Sequence, residues 1–77
     1  MKVLYTFKTR QGVASIEYDS TTDRYHACFN GESLDNYHSP ESAVSDLAGG
    51  HSCWPSPDID PSTLGIPDEL SDWKRAT

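Results

Sequence analysis

The chain has 77 residues, with six Lys+Arg against twelve Asp+Glu and a net charge of −6. That length makes one small domain with a thin core, since such a chain buries only about 60% of the surface its unfolded form exposes. The negative field repels phosphate backbones and excludes direct nucleic-acid binding, while 35% apolar and 23% charged residues fit a folded domain rather than a disordered tail.

The first half reads as strands. Val3, Tyr5 and Phe7 alternate with Lys2, Leu4, Thr6 and Lys8, the period-2 pattern of a half-buried strand. A turn through Thr9-Arg10-Gln11-Gly12 leads to a second strand, in which Ala14, Ile16 and Tyr18 alternate with Val13, Ser15 and Glu17. After the polar loop over residues 19–23, Tyr25, Ala27 and Phe29 mark a third strand. Asn30-Gly31 is the strongest hairpin signal, because both central residues of a type I′ turn need positive φ. An unbroken hairpin pairs residues 29 with 32, 27 with 34 and 25 with 36, and sets His26 opposite Asp35. A short fourth strand then runs to about Tyr37.

The second half changes character. Ser39 can cap a helix, Pro40 suits its first position, and Glu41 complements the positive end of its dipole. Ala43, Val44, Leu47 and Ala48 form one apolar stripe, and Gly49-Gly50 ends the helix. About two turns cannot stand alone in water, so this helix packs on the sheet. A rigid loop with Pro55, Pro57 and Pro61 follows, and Pro67-Asp68-Glu69 opens a second short helix with Ile66, Leu70 and Trp73 on one side. The expected fold is a single α+β domain over 1–77. It comprises an antiparallel meander of three to four strands over 1–38, one helix over 39–49 on one face, and a Pro-rich loop and short C-terminal helix over 50–77. Tyr5, Phe7, Tyr18, Tyr25 and Phe29 read as core, and Trp54 and Trp73 as clamps that hold the C-terminal segments to the sheet.

Charge is distributed unevenly along the chain. Residues 1–24 carry four basic and three acidic side chains, whereas residues 25–73 carry nine acidic side chains and no Lys or Arg. The nine are Glu32, Asp35, Glu41, Asp46, Asp58, Asp60, Asp68, Glu69 and Asp72. Such an excess either serves solubility as a solvated surface or is offset by a basic partner. Carboxylates along loops and helix ends imitate a row of phosphates, so the sharper reading is a face that docks on a basic groove of a nucleic-acid-binding protein.

The two H-x-C units, His26-Ala27-Cys28 and His51-Ser52-Cys53, each project two possible zinc ligands from one strand face, but their spacing is not that of ordinary zinc sites. Polar-face residues and free thiols are the plainer reading of these positions. The sequence has no Gly-rich phosphate loop, nucleophile elbow or zincin motif. The expectation is therefore a non-enzymatic protein without cofactor. No run approaches the roughly 20 apolar residues of a membrane span, and Lys8 and Arg10 interrupt the N-terminal apolar stretch. A cytoplasmic monomer without membrane contact is expected.

Ser39-Pro40-Glu41, Asp46-Leu47-Ala48-Gly49-Gly50 and the run from Leu64 to Trp73 resemble a group of short bacterial and phage-borne proteins of unassigned function. Those have a strand-rich front and a helix–Pro-loop–helix back. The resemblance covers most of residues 25–73 and carries over no catalytic residue. In size, acidity and architecture the chain is also similar in type to anti-CRISPR proteins, several of which occupy the DNA groove of a CRISPR effector. That likeness implies an inhibitor whose partner is a basic protein surface, such as a CRISPR effector complex. A housekeeping or antitoxin-like interaction domain whose acidity serves solubility is the alternative, and a small zinc-binding module is a more distant one.

Overall fold

The computed structural model of the chain describes residues 1–49 and 64–76. Four consecutive strands, β1 (Lys2–Thr9), β2 (Gly12–Asp19), β3 (Arg24–Phe29) and β4 (Glu32–Tyr37), form the antiparallel meander. The helix α1 (Pro40–Gly49) packs on one face of that meander, over β2, β3 and β4. A 3-10 turn over Leu70–Asp72 follows the segment from Leu64, and a fifth strand, β5 (Lys74–Arg75), pairs antiparallel with β1. The sheet order is β4–β3–β2–β1–β5. The fold is thus α+β, with a five-stranded sheet where the sequence pattern predicts three or four strands. Residues 50–63, and with them Trp54, Pro55, Pro57, Asp58, Asp60, Pro61, His51 and Cys53, lie outside the described residues.

The core lies between α1 and one sheet face. Ala14 and Ile16 of β2, Ala27 and Phe29 of β3, and Ala43, Val44 and Leu47 of α1 form one buried cluster, closed by Leu64, Ile66 and Trp73. Tyr5 and Phe7 are half-buried against it, whereas Tyr18 and Tyr25, expected in the core, are half-buried outside it, their rings tilted by 47° at 5.1 Å between centroids. Trp73 lies 5.8 Å from Phe7 between ring centroids and donates its indole N–H to the Pro67 carbonyl at 2.9 Å. This aromatic contact holds the C-terminal segment on the sheet, and an aromatic pair with a satisfied N–H suits that task. At the other end of the core, the Ser39 hydroxyl accepts from the Ser42 N–H at 3.2 Å and caps α1.

The β3–β4 turn has positive φ at both Asn30 (52°) and Gly31 (82°), as the Asn-Gly pair requires. Its side chain does more than favour the turn. Asn30 Oδ1 accepts from the Val13 N–H at 2.9 Å, and the Asn30 N–H donates to the Val13 carbonyl at 2.8 Å. The amide occupies the space that a Cβ on Gly12 would need, so Gly12 is required by a neighbouring turn.

Three expectations require correction. Phe29 pairs with Glu32 as predicted, but Leu34 is then an extra residue, so Ala27 faces Asp35, His26 faces Asn36 and Tyr25 faces Tyr37. This β-bulge turns the half-buried Leu34 against the core and takes Asp35 away from His26. A second bulge at Leu4 places Val3 across from Glu17 rather than on the side of Tyr5 and Phe7, and Val3 is exposed. The C-terminal segment forms a single 3-10 turn instead of a helix opening at Pro67. Glu69 and Trp73 are both extended, and the extended Trp73 sends the chain directly into β5.

Candidate functional site

The candidate acidic residues sort by element. Glu32 opens β4 and Asp35 lies in its bulge, both exposed on the edge strand of the sheet. Glu41 is exposed in the first turn of α1, where the dipole favours an acid. Asp46 is half-buried in the last turn, where the dipole disfavours one. Two of these carboxylates thus lie on the β4 edge and two on α1, which packs over β3 and β4 and also touches the 3-10 turn. Asp35 also has a local role: its Oδ1 accepts from the Asn36 N–H at 2.8 Å, which occupies a backbone donor on an edge strand.

The basic residues are gathered elsewhere. Lys2 and Lys8 are on β1, Arg10 is in the β1–β2 turn, and Lys74 and Arg75 form β5, so five of the six Lys+Arg lie toward the opposite edge of the sheet. The sixth, Arg24, donates to His38 Nε2 at 3.3 Å. Among the described residues only His26 Nε2 and Asp19 Oδ2, at 3.8 Å, bring a basic nitrogen within 4.0 Å of a carboxylate oxygen. The acids of β4 and α1 therefore have no basic partner within the described chain. Asp68 is exposed beside the C-terminal end of α1, lining a hollow of about 290 Å³ with Ser45, Ala48, Gly49, Ile66 and Pro67. Glu69 and Asp72 are exposed on the approach to β5 and so adjoin the basic edge rather than β4. Asp58 and Asp60 lie outside the described residues.

A second constellation, on the sheet face opposite α1, was only partly visible in the sequence. Ser15 pairs with Cys28 and Glu17 with His26 across β2 and β3, and Ser33 pairs with Cys28 across β3 and β4. His26 Nδ1 is hydrogen-bonded to Ser33 Oγ at 2.8 Å, and the Ser15 hydroxyl donates to Glu17 Oε2 at 2.9 Å. The Cys28 thiol is free and buried; desolvation, with Glu17 beside it, pushes its pKa up to about 12. Such a thiol is protonated at neutral pH and is neither a nucleophile nor a ready metal ligand. Asp19 is held below the ordinary carboxylate value chiefly by the Thr21 hydroxyl, which donates to it at 2.6 Å, and by the Thr21 N–H. Among the described residues no three His, Cys, Asp or Glu side chains converge as metal ligands. The partner unit His51-Ser52-Cys53 lies outside those residues. An Asn30-Gly31 hairpin that pairs 29 with 32 sets Ser33 opposite Cys28, so this part of the cluster is legible in the sequence, whereas the diagonal Ser33–His26 contact is not fixed by register alone.

No protein-family model, curated protein or solved structure matches this chain. No helix among the described residues is long and apolar enough to cross a membrane.

Proposed function

We propose that this chain is a non-enzymatic acidic binding protein whose α1/β4 side docks on a basic, nucleic-acid-binding protein surface, as an inhibitor that imitates DNA in the manner of anti-CRISPR proteins. The observation that carries this reading is the separation of charge. Glu32, Asp35, Glu41 and Asp46 lie on β4 and α1, while five of six Lys+Arg lie on or beside β1 and β5. Carboxylates left without basic partners repel one another, and a complementary surface relieves that cost. The docking face comprises these four residues and Asp68, which stands at the end of α1. Asp58 and Asp60 are carried in the proposal on sequence grounds alone. Glu69 and Asp72 stand beside the basic edge and contribute less.

A pull-down with tagged protein at low salt, eluted by a salt step, tests this reading. Basic nucleic-acid-binding proteins released by the step should also be displaced by added duplex DNA, because mimic and DNA compete for one groove. A folded, monomeric bait that captures nothing would leave the acids as a solvated surface and remove the mimic.

A further inference from the structure

The C-terminal end of α1 breaks a local rule. Negative charge gathers at a helix C-terminus, where Lys, Arg or His is preferred, yet the last turn of α1 has no basic residue and contains Asp46. Across the adjoining hollow stands a second carboxylate, Asp68, exposed and without a hydrogen bond or ion pair among the described residues. Among the described residues neither carboxylate has a compensating cation, and departures from local preference are expected at functional sites. The hollow, about 290 Å³, has a mixed lining: Ala48, Ile66 and Pro67 give it apolar walls, whereas Ser45 and Asp68 supply polar groups.

We propose that this hollow is an anchor site for an arginine side chain presented by a basic protein segment. The apolar walls suit the methylene stem, and the carboxylate, hydroxyl and helix end suit the head group. A guanidinium matches them better than an ammonium, because it is weakly hydrated and offers several donors in a plane, including a two-pronged contact to Asp68. The inference rests on the acidic-face reading for its partner, and it supplies that face with a defined point of contact.

The test titrates N-acetyl-L-argininamide into isotope-labelled protein at low ionic strength and follows backbone amide shifts. Saturable shifts concentrated at Ser45, Ala48, Gly49, Ile66 and Asp68 are expected, with affinity in the millimolar range. The uncharged N-acetyl-L-citrullinamide should produce none of them. Asp68→Asn, a surface change that leaves the fold intact, should weaken binding about three- to fivefold, and Asp23→Asn, in the exposed β2–β3 loop outside the docking face, should not. Shifts that rise linearly and scatter over all carboxylates, or an equal response to the citrulline analogue or in Asp68→Asn, would overturn the site. The two readings separate cleanly. A saturable hollow with no capture of basic proteins keeps the anchor and removes the acidic face; capture with an unresponsive hollow does the reverse.

Discussion

Asn30 concentrates several roles in one side chain. It adopts a left-handed backbone at φ 52°, supports the I′ turn with Gly31, and accepts from the Val13 N–H across the top of the β1–β2 turn. Asn30→Ala should cost about 2 kcal/mol, combining the left-handed backbone penalty with a lost hydrogen bond. Asn30→Gly should cost only about half as much, since it keeps the backbone freedom. Urea unfolding of the two variants checks this, and equal losses would show that the backbone conformation is not at issue. Cys28 gives a pH prediction of definite sign. Its thiol is raised from an ordinary 9.0 to about 12, so the folded state keeps a proton that the unfolded state releases between those values. Its stabilising contribution is therefore complete below pH ~9 and is lost as pH rises toward ~12. Tyr18 adds a loss of the same sign above its ordinary 10.0, because its hydroxyl donates to Asp23 at 2.6 Å. Urea midpoints followed from about pH 8 upward should fall, with Cys28→Ala flattening the first limb and Tyr18→Phe the second. Asp19 acts oppositely: its lowered value adds stability above the ordinary 3.8 that is lost on acidification through the folded value.

At the scale of elements, α1 and the C-terminal segment depend on a few apolar anchors. Leu47 is fully buried and Trp73 nearly so. Leu47→Ala should cost about 2–5 kcal/mol and Trp73→Ala about 3–5 kcal/mol, against a total stability of roughly 4–12 kcal/mol for a chain of this length. Calorimetry should show a large fall in the melting midpoint for each, and Trp73→Ala should also release the β5 amides to hydrogen exchange. Rapid β5 exchange in the unsubstituted protein would mean that Trp73 does not hold the strand. Most of the first four strands was legible because alternation and the Asn-Gly pair are local signals. The cap at Ser39 and the burial of Ala43, Val44 and Leu47 were legible for the same reason. The bulges at Leu4 and Leu34 were not, since an extra residue leaves the alternating pattern looking continuous until pairing is known. Nor was β5, a two-residue strand that pairs with Tyr5 and Thr6 only because Trp73 docks on Phe7.

For the whole molecule, the sequence revealed an acidic excess but not its placement. A linear count joins Glu69 and Asp72 to Glu32 and Glu41, whereas the fold puts the first pair just before β5, at a 3-10 turn that also touches α1, and the second on β4 and the first turn of α1. The hollow between Asp68 and the end of α1 joins residues about twenty positions apart and has no sequence motif. If the separated acids form the docking face, complex formation should weaken steeply with salt, and charge reversal on that face should slow association more than it hastens dissociation. The most direct measurement compares two double variants that change net charge equally, Glu32→Lys/Glu41→Lys and Glu69→Lys/Asp72→Lys, in parallel pull-downs at low salt. The first should lose the captured basic proteins and the second should keep most of them. Equal loss in both would mean that overall charge alone drives capture, and no loss in either would contradict an acidic docking face altogether.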